Sequence, residues 1–399
     1  MGDGRAIVIA GAGIAGLTAA LALNAKGFNI VACERAEKLS EIGAGIQLAP
    51  NAGRVLASLG LERAIAAAAI EPKTVDLIDG PAGRLIAAIP TADFRARYDF
   101  PYRVIHRADL QSILAKAAGR AGIRLDLGAT VEGFMAQPGG LLVRTRKAGG
   151  GTDVISAVLV IAADGVWSSL RAEIDGSARP HATGRTAWRA IISADVARDF
   201  VAIGRVGLWL GPDAHLVHYP VAQGAAVNLV AIVSEAWDRP GWSAPGEAAE
   251  LVRRFAGWSA RARGLLAAPV AWQKYALTAL DPTGPWVADR LALIGDAAHA
   301  MTPFLAQGAA AAIEDAAVLA ETLYAAADLP RALATYAEIR RPRVARLAAA
   351  TDRAGDRYHF GGLRALARNA ALRLAGPRLV LAQHDWIYGW RPAGERQAA

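Results

Sequence analysis

The feature that most narrows the possible folds lies in the first 34 residues. Ala6-Ile7-Val8-Ile9-Ala10 is an unbroken apolar run, the pattern of a strand buried on both faces of a parallel sheet. It runs into Gly11-Ala12-Gly13-Ile14-Ala15-Gly16, then a helical pattern to Lys26 that Gly27 ends. A second apolar strand from Ile30 to Cys33 follows, with Glu34 at its end. G-x-G-x-x-G alone is a weak signal, but a strand before it, a helix after it and an acid closing the next strand complete the dinucleotide fingerprint. Gly11 permits the tight turn, Gly13 lets the backbone approach a pyrophosphate, and Gly16 lets the helix pack closely on the sheet. The helix start offers unpaired N–H groups to phosphates, and Glu34 would accept hydrogen bonds from the adenosine ribose. The motif by itself leaves NAD and FAD both open.

At 399 residues the chain is long enough for two domains or three. Its net charge of +8 comes mostly from arginine spread along the chain, without the basic, aromatic-laced cluster of a nucleic-acid protein, so no nucleic-acid partner is expected. Anionic small molecules suit such a balance. The single cysteine, Cys33, rules out an internal disulfide and argues against a thiolate metal cluster. His181, His299, His359 and His384 are scattered and no His-Glu-x-x-His pattern occurs, so no metal is expected. The N-terminus lacks the pattern of a signal peptide and no apolar run reaches bilayer length, so the expected address is the cytoplasm, with no stable membrane span.

Further along, a small-residue helix is expected near Ala64–Ala69, short β segments from Thr74 to Arg97, a helix from His106 to Gly119, and strands at Ile123–Leu127, Leu141–Arg146 and Val158–Ala162. From about Arg185 to Ala276 alternating strands, tryptophans and a Gly211-Pro212-Asp213 turn mark a separate, mainly β layer. A buried strand at Arg290–Ile294 then resumes the first domain, and the remainder reads as helical.

Three further stretches separate FAD from NAD. These are His106-Arg107-Ala108-Asp109-Leu110, Ala163-Asp164-Gly165 leading to Arg171, and Gly295-Asp296-Ala297-Ala298-His299 leading into Pro303-Phe304-Leu305-Ala306-Gln307-Gly308-Ala309 and Ile313-Glu314-Asp315-Ala316. With the first motif, and in this order over nearly the whole chain, they resemble the single-component (class A) FAD-dependent aromatic hydroxylases, in particular the salicylate hydroxylase and 3-hydroxybenzoate 6-hydroxylase branch. The resemblance implies an α/β fold in which a Rossmann-like FAD-binding domain (residues 1–73, 101–178 and 280–399, the last with C-terminal helices) is interrupted by a mainly β substrate domain (74–100, a hairpin, and 179–279). It implies FAD contacts from Gly11, Gly13, Ala15, Gly16, Glu34, Arg35, Gly45, Ile46, Arg107, Val131, Asp164, Gly165, Asp296, Pro303, Gly308 and Ala309, with Gly43 and Ala44 in the loop beside the isoalloxazine. Asp296 would take the ribityl hydroxyls, and the helix starting near Gln307-Gly308 would direct its N–H groups at the pyrimidine edge, favouring reduced flavin. Two departures stand out: Ala306-Gln307-Gly308 replaces the family's Gly-Gln-Gly, as in the salicylate-like branch, and Gln47 stands where hydroxynicotinate hydroxylases place a histidine.

The expected activity is therefore hydroxylation of a small aromatic acid such as a hydroxybenzoate, with NADH or NADPH as electron donor and O2 as co-substrate, through a flavin C4a-hydroperoxide sheltered from water. Such a ring must be electron-rich, which calls for a base toward a phenol. His215 and Tyr219 match a His and Tyr of the family that contact the substrate hydroxyl, and on a strand they share a face while His218 points away. His215 is read as the base, with Tyr219 and Gln307 orienting it, and Arg189 as a partner for the substrate carboxylate or, equally, an anchor for flavin. Two other readings stay open: a different FAD-dependent oxidoreductase or a hydroxylase of a heteroaromatic ring, and a flavin-binding sensor without turnover. The halogenase Trp-x-Trp-x-Ile-Pro pattern is absent. The chain is expected as monomer or homodimer, with its segment from Leu363 to Trp390 docked on the core.

Overall fold

The computed structural model describes residues 6–39 and 45–392. The opening run forms β1 (Ala6–Ala10), α1 (Ile14–Asn24) and β2 (Ile30–Glu34), followed by β3 (Gly45–Leu48), α2 (Pro50–Ser58), α3 (Glu62–Ala68) and the hairpin β4 (Thr74–Asp79) and β5 (Arg84–Pro90). The next stretch, expected as a further β segment, is instead helix α4 (Ala92–Tyr98). Phe94 and Tyr98, four apart, are its buried pair, and arginines fill its last turn, so helical period outweighs β alternation there. Then come β6 (Arg103–His106), α5 (Arg107–Arg120), β7 (Arg124–Leu127), β8 (Ala129–Gln137), β9 (Gly140–Lys147) and β10 (Thr152–Ala162). The mainly β stretch comprises β11 (His181–Ser193), α6 (Ala194–Ala197), β12 (Val206–Gly211), β13 (Ala214–Val221), β14 (Ala226–Ser234), β15 (Ser243–Gly246), α7 (Ala248–Arg254), α8 (Ala260–Ala267) and β16 (Trp272–Ala279). The chain ends in β17 (Val287–Ala288), β18 (Leu291–Leu293), α9 (Asp296–His299), α10 (Gly308–Ala325), α11 (Leu329–Tyr358), α12 (Gly362–Ala382) and α13 (Asp385–Tyr388).

Two sheets organise the molecule. The first runs β17-β18-β10-β1-β2-β7, with β18, β10, β1, β2 and β7 mutually parallel and β8–β9 hung from β10 as an antiparallel extension. Every residue of β1 is buried because β10 and β2 flank it and α1, itself backed by α10, lies against it. The second sheet runs β15-β16-β11-β14-β13-β12-β4-β5, and all its pairings are antiparallel except β12 with β4. Its outer face carries Trp188, Trp209, Leu216, Leu229 and Ala231, sealed by Leu251 of α7, Phe255 just after it, and Leu265 and Leu266 of α8. These two helices have no counterpart in the β reading of the sequence. The inner face of the sheet meets the loops of the first sheet: Asn228 Oδ1 accepts from Gly45 N at 3.1 Å, and Phe304 packs on Ala187 and Ile232.

The C-terminal segment is docked at its far end. Arg54 donates to Trp390 O, Arg343 donates to Trp386 O and Ile387 O, and Tyr388 packs against Phe94 and Tyr98. Helix α12 keeps Leu363, Leu366, Leu374 and Leu379 exposed. Among the described residues no helix is long and apolar enough to cross a membrane.

Candidate active site

The glycine turn after β1 is built for close approach. Gly11 sits at φ +102, and a Cβ there would lie 2.4 Å from Ala163 O. A Cβ on Gly16 would lie 1.9 Å from Gly11 O. Gly13, by contrast, has ordinary backbone angles and open space where a side chain would point. Glu34 turns back on this loop: Oε2 accepts from Ala12 N at 2.9 Å and Oε1 from Ala36 N at 3.0 Å, which fixes the carboxylate and leaves further lone pairs outward. Arg35 beside it is exposed, and Val131 is buried in β8. Gly43 and Ala44 lie outside the described residues.

The Asp164 turn and the Asp296 turn come to this same edge. Ala163 N donates to Ala10 O at 2.8 Å and Ile294 N to Ala162 O at 3.0 Å, so consecutive parallel strands deliver all three loops side by side. Gly165 (φ +81) and Gly295 (φ +59) both need the left-handed region. Asp164 Oδ2 accepts from Ser169 N, while Oδ1 is buried without a protein partner, and burial raises the pKa of this carboxyl. Asp296 is exposed although its neighbours Gly295 and Ala297 are buried, and Ala15 packs close to Gly295. Arg171 uses its buried guanidinium on Ala297 O at 3.0 Å and Val166 O at 2.9 Å, tying these two turns together. An open glycine cradle, an anchored ribose acid, an orphaned carboxylate oxygen and an exposed aspartate at a strand end fit a flavin dinucleotide.

The loop before α10 is the strained part. Ala306 adopts φ +53, where the glycine of the resembling motif would carry no penalty. Gln307 is buried with both ends of its amide engaged: Oε1 accepts from Asn51 Nδ2 at 3.0 Å and Nε2 donates to Leu305 O at 3.3 Å. Pro303, Gly308 and Ala309 are half-buried around it, leaving the first turn of α10 open.

A row across the inner face of the second sheet differs from its surroundings. Leu208, Val217, Val230, Arg189 and Gln273 pair in register from β12 through β13, β14 and β11 to β16, and all five are half-buried while their neighbours on the same strands, Ala190 excepted, are buried. Side chains that stay partly exposed on an interior face line a cavity. Tyr219 and His215 flank Val217 on its two sides along β13. Their Cα atoms stand about 13 Å apart by strand rise, which leaves room for one aromatic ring between them. Tyr219 packs against Gly45, where a Cβ would lie 2.3 Å from its ring, and burial raises its phenol pKa. Arg189 lies 5.2 Å over the Tyr275 ring and its Nε is buried without a partner; burial first, and the nearby Arg107 charge, lower its pKa. Two guanidinium groups held near each other beside an apolar trough favour an anion. His215 is 1% exposed and packs on Phe304 and Tyr358, and its Nδ1 lies 2.8 Å from His359 Nε2. His218 lies on the opposite face, where its Nδ1 accepts from Trp209 Nε1.

The structure therefore gathers the Gly11, Asp164 and Asp296 turns at one sheet edge, and Arg189, Tyr219 and His215 on one sheet face. Several residues in this region had no sequence reading. Asn51 donates to both Gln307 and Glu314, Asn228 holds Gly45, and Arg340 and Arg343 neutralise Glu314. Only Asn51 carried a sequence signal, as a polar residue in the first turn of a helix opened by Pro50.

A family model described as FAD binding domain matches residues 5–351. A 3-hydroxybenzoate 6-hydroxylase from Polaromonas naphthalenivorans is 33% identical over 386 residues, covering 96% of each chain. A 3-amino-4-hydroxybenzoate 2-monooxygenase from Streptomyces platensis is 37% identical over 401 residues, covering 98% of each. A solved salicylate hydroxylase substrate complex superposes with a TM-score of 0.81 at 26% identity, covering 97% of this chain and 95% of that one.

Proposed function

This chain belongs to the FAD-binding-domain family and is an FAD-dependent aromatic-ring monooxygenase; on that premise we propose that it hydroxylates a hydroxybenzoate-class acid held in the trough between His215 and Tyr219. The observation that carries the substrate reading is the half-buried row in which Leu208, Val217 and Val230 make an apolar floor ending at the Arg189 guanidinium. Arg189 binds the carboxylate bidentately, the fork geometry that a carboxylate matches best. Val217, Val230 and Leu208 pack the ring and exclude water. Tyr219, kept protonated by burial, donates to the ring hydroxyl. His215, kept neutral by burial, accepts the phenol proton and leaves the ring electron-rich. Gln307 holds the loop before α10 in place through Asn51 and Leu305. FAD, when bound, supplies the redox chemistry that takes electrons from NADH or NADPH and activates O2. The chain acts as a monomer or homodimer in the cytoplasm.

The test is direct. Purified holoprotein is mixed with NADH or NADPH and a panel that includes 3-hydroxybenzoate, 3-amino-4-hydroxybenzoate and salicylate, while oxygen uptake and product mass are followed. A product heavier by one oxygen atom, or a decarboxylated diol from salicylate, is expected from at least one acid. Reduced-nicotinamide oxidation that no member of the panel stimulates would remove the substrate reading.

A further inference from the structure

His359 follows the last turn of α11, far in sequence from every motif, yet its Nε2 lies 2.8 Å from His215 Nδ1, with ring centroids 5.1 Å apart. We infer that His359 is a positioning residue that acts through His215, the two rings forming one base that passes the phenol's proton from His215 to His359. The inference rests on the reading of His215 as the base.

Two neutral imidazoles carry one N–H each, and a 2.8 Å nitrogen–nitrogen contact needs one of those protons in the gap. If His359 supplies it, the other proton sits on His215 Nε2, which then donates. If His215 supplies it, the other sits on His359 Nδ1 and His215 Nε2 offers a lone pair. His215 Nε2 has no protein partner among the described residues, and His359 Nδ1 is buried without one. The pair can thus present either a donor or an acceptor without changing its charge.

The second arrangement is the one that takes a proton. The phenol O–H bond breaks as His215 Nε2–H forms. The His215 Nδ1–H bond then breaks as His359 Nε2–H forms. Phenolate and a His359 imidazolium result, with no electron transferred. The charge moves to a ring at the C-terminus of a 30-residue helix, where the helix dipole favours a cation. The charged and titratable groups around the pair are Arg185 from β11 and Asp356 and Tyr358 from α11. Arg185 repels the cation but is itself paired with Asp356 at 2.6 Å, and Asp356 attracts it. Before the transfer both rings are neutral: burial, His359 and Arg185 hold His215 well below the usual imidazole range, and burial and Arg185 bring His359 to about 4. The backbone fixes His359, whose carbonyl accepts from Asp213 N in the β12–β13 turn at 3.1 Å.

Four holoenzymes test this: wild type, His215→Gln, His359→Leu and His359→Gln. The probe is whichever of 3-hydroxybenzoate and 3-amino-4-hydroxybenzoate the wild type hydroxylates. The readouts are the pH at which the bound phenol becomes phenolate, by difference absorption, and the acid limb of kcat. Glutamine can fill the gap hydrogen bond but cannot take the proton, so both His359 variants should move these pH values up by about one unit and lower kcat near neutrality about tenfold. Flavin content and KM should stay within about threefold of wild type, as expected when only proton transfer is lost. If the leucine variant does not retain flavin, the glutamine variant decides. A wild-type pH profile in His359→Gln, with His215→Gln abolishing phenolate formation, overturns the pair and leaves His215 as a lone base. An unchanged titration in His215→Gln removes the base reading and the pair with it.

Discussion

Replacing Arg340 with methionine probes the support under the candidate active site. Arg340 is fully buried and donates to Asp315 Oδ1 at 2.8 Å, Glu314 Oε2 at 2.7 Å and Ala311 O at 3.2 Å. The two carboxylates hold site elements in turn: Asp315 accepts from Gly295 N in the Asp296 turn, and Glu314 accepts from Asn51, which also donates to Gln307. Methionine fills much of the stem's volume but uncovers two buried carboxylates. Glu314 keeps Arg343 and Asp315 keeps His299, so the loss should be about 3–5 kcal/mol, the usual cost of breaking a buried pair from one side. Its pH dependence sharpens the test. Burial works to raise the Asp315 pKa, but His299 and Arg340 overcome it and lower it from 3.8 to about 2. A folded-state value below the unfolded one contributes stability above about pH 4 that is lost as pH falls toward 2, roughly 2 kcal/mol in all. Without Arg340 much of that contribution is already gone, so the gap between variant and wild type should be widest at pH 7 and narrower near pH 3. Urea unfolding followed by circular dichroism, with flavin fluorescence reporting cofactor release, measures both. A gap under about 1 kcal/mol at pH 7, the scale of an exposed pair, or one unchanged down to pH 3, would refute the reasoning.

Three further outcomes are expected. Gly11→Ala should destabilise even the flavin-free protein, by about 2 kcal/mol or more, because its Cβ meets Ala163 O at positive φ; Gly13→Ala should leave apoprotein melting unchanged yet weaken FAD binding at least about tenfold, as titration by flavin fluorescence would show. Ala306→Gly should stabilise the protein by up to about 1 kcal/mol by relieving the left-handed strain, visible as a higher melting temperature. Arg189→Lys should raise KM for a hydroxybenzoate roughly 10- to 100-fold with flavin content unchanged, since lysine cannot make the two-pronged bond; an unaltered KM in steady-state kinetics would move the carboxylate elsewhere.

Much of this molecule is written locally. The opening strand, turn and helix are legible because a parallel strand buried on both faces must be continuously apolar, and a turn that meets neighbouring backbone must be glycine. Likewise β13 alternates in a way that places His215 and Tyr219 on one face and His218 on the other, since the strand period is two. Helix α4 escaped the reading because its seven residues hold only one buried i, i+4 pair, and β8 because Gly133 and half-buried positions blur its alternation. What no local pattern could supply is the pairing of distant polar groups. His359 against His215, Asn51 against Gln307 and Arg340 against Glu314 and Asp315 join residues up to hundreds of positions apart. Chain order constrains which faces are apolar and which turns need glycine. Only the folded packing of one element on another decides which buried charge or ring finds which partner, because that choice depends on distances that arise after the core has closed.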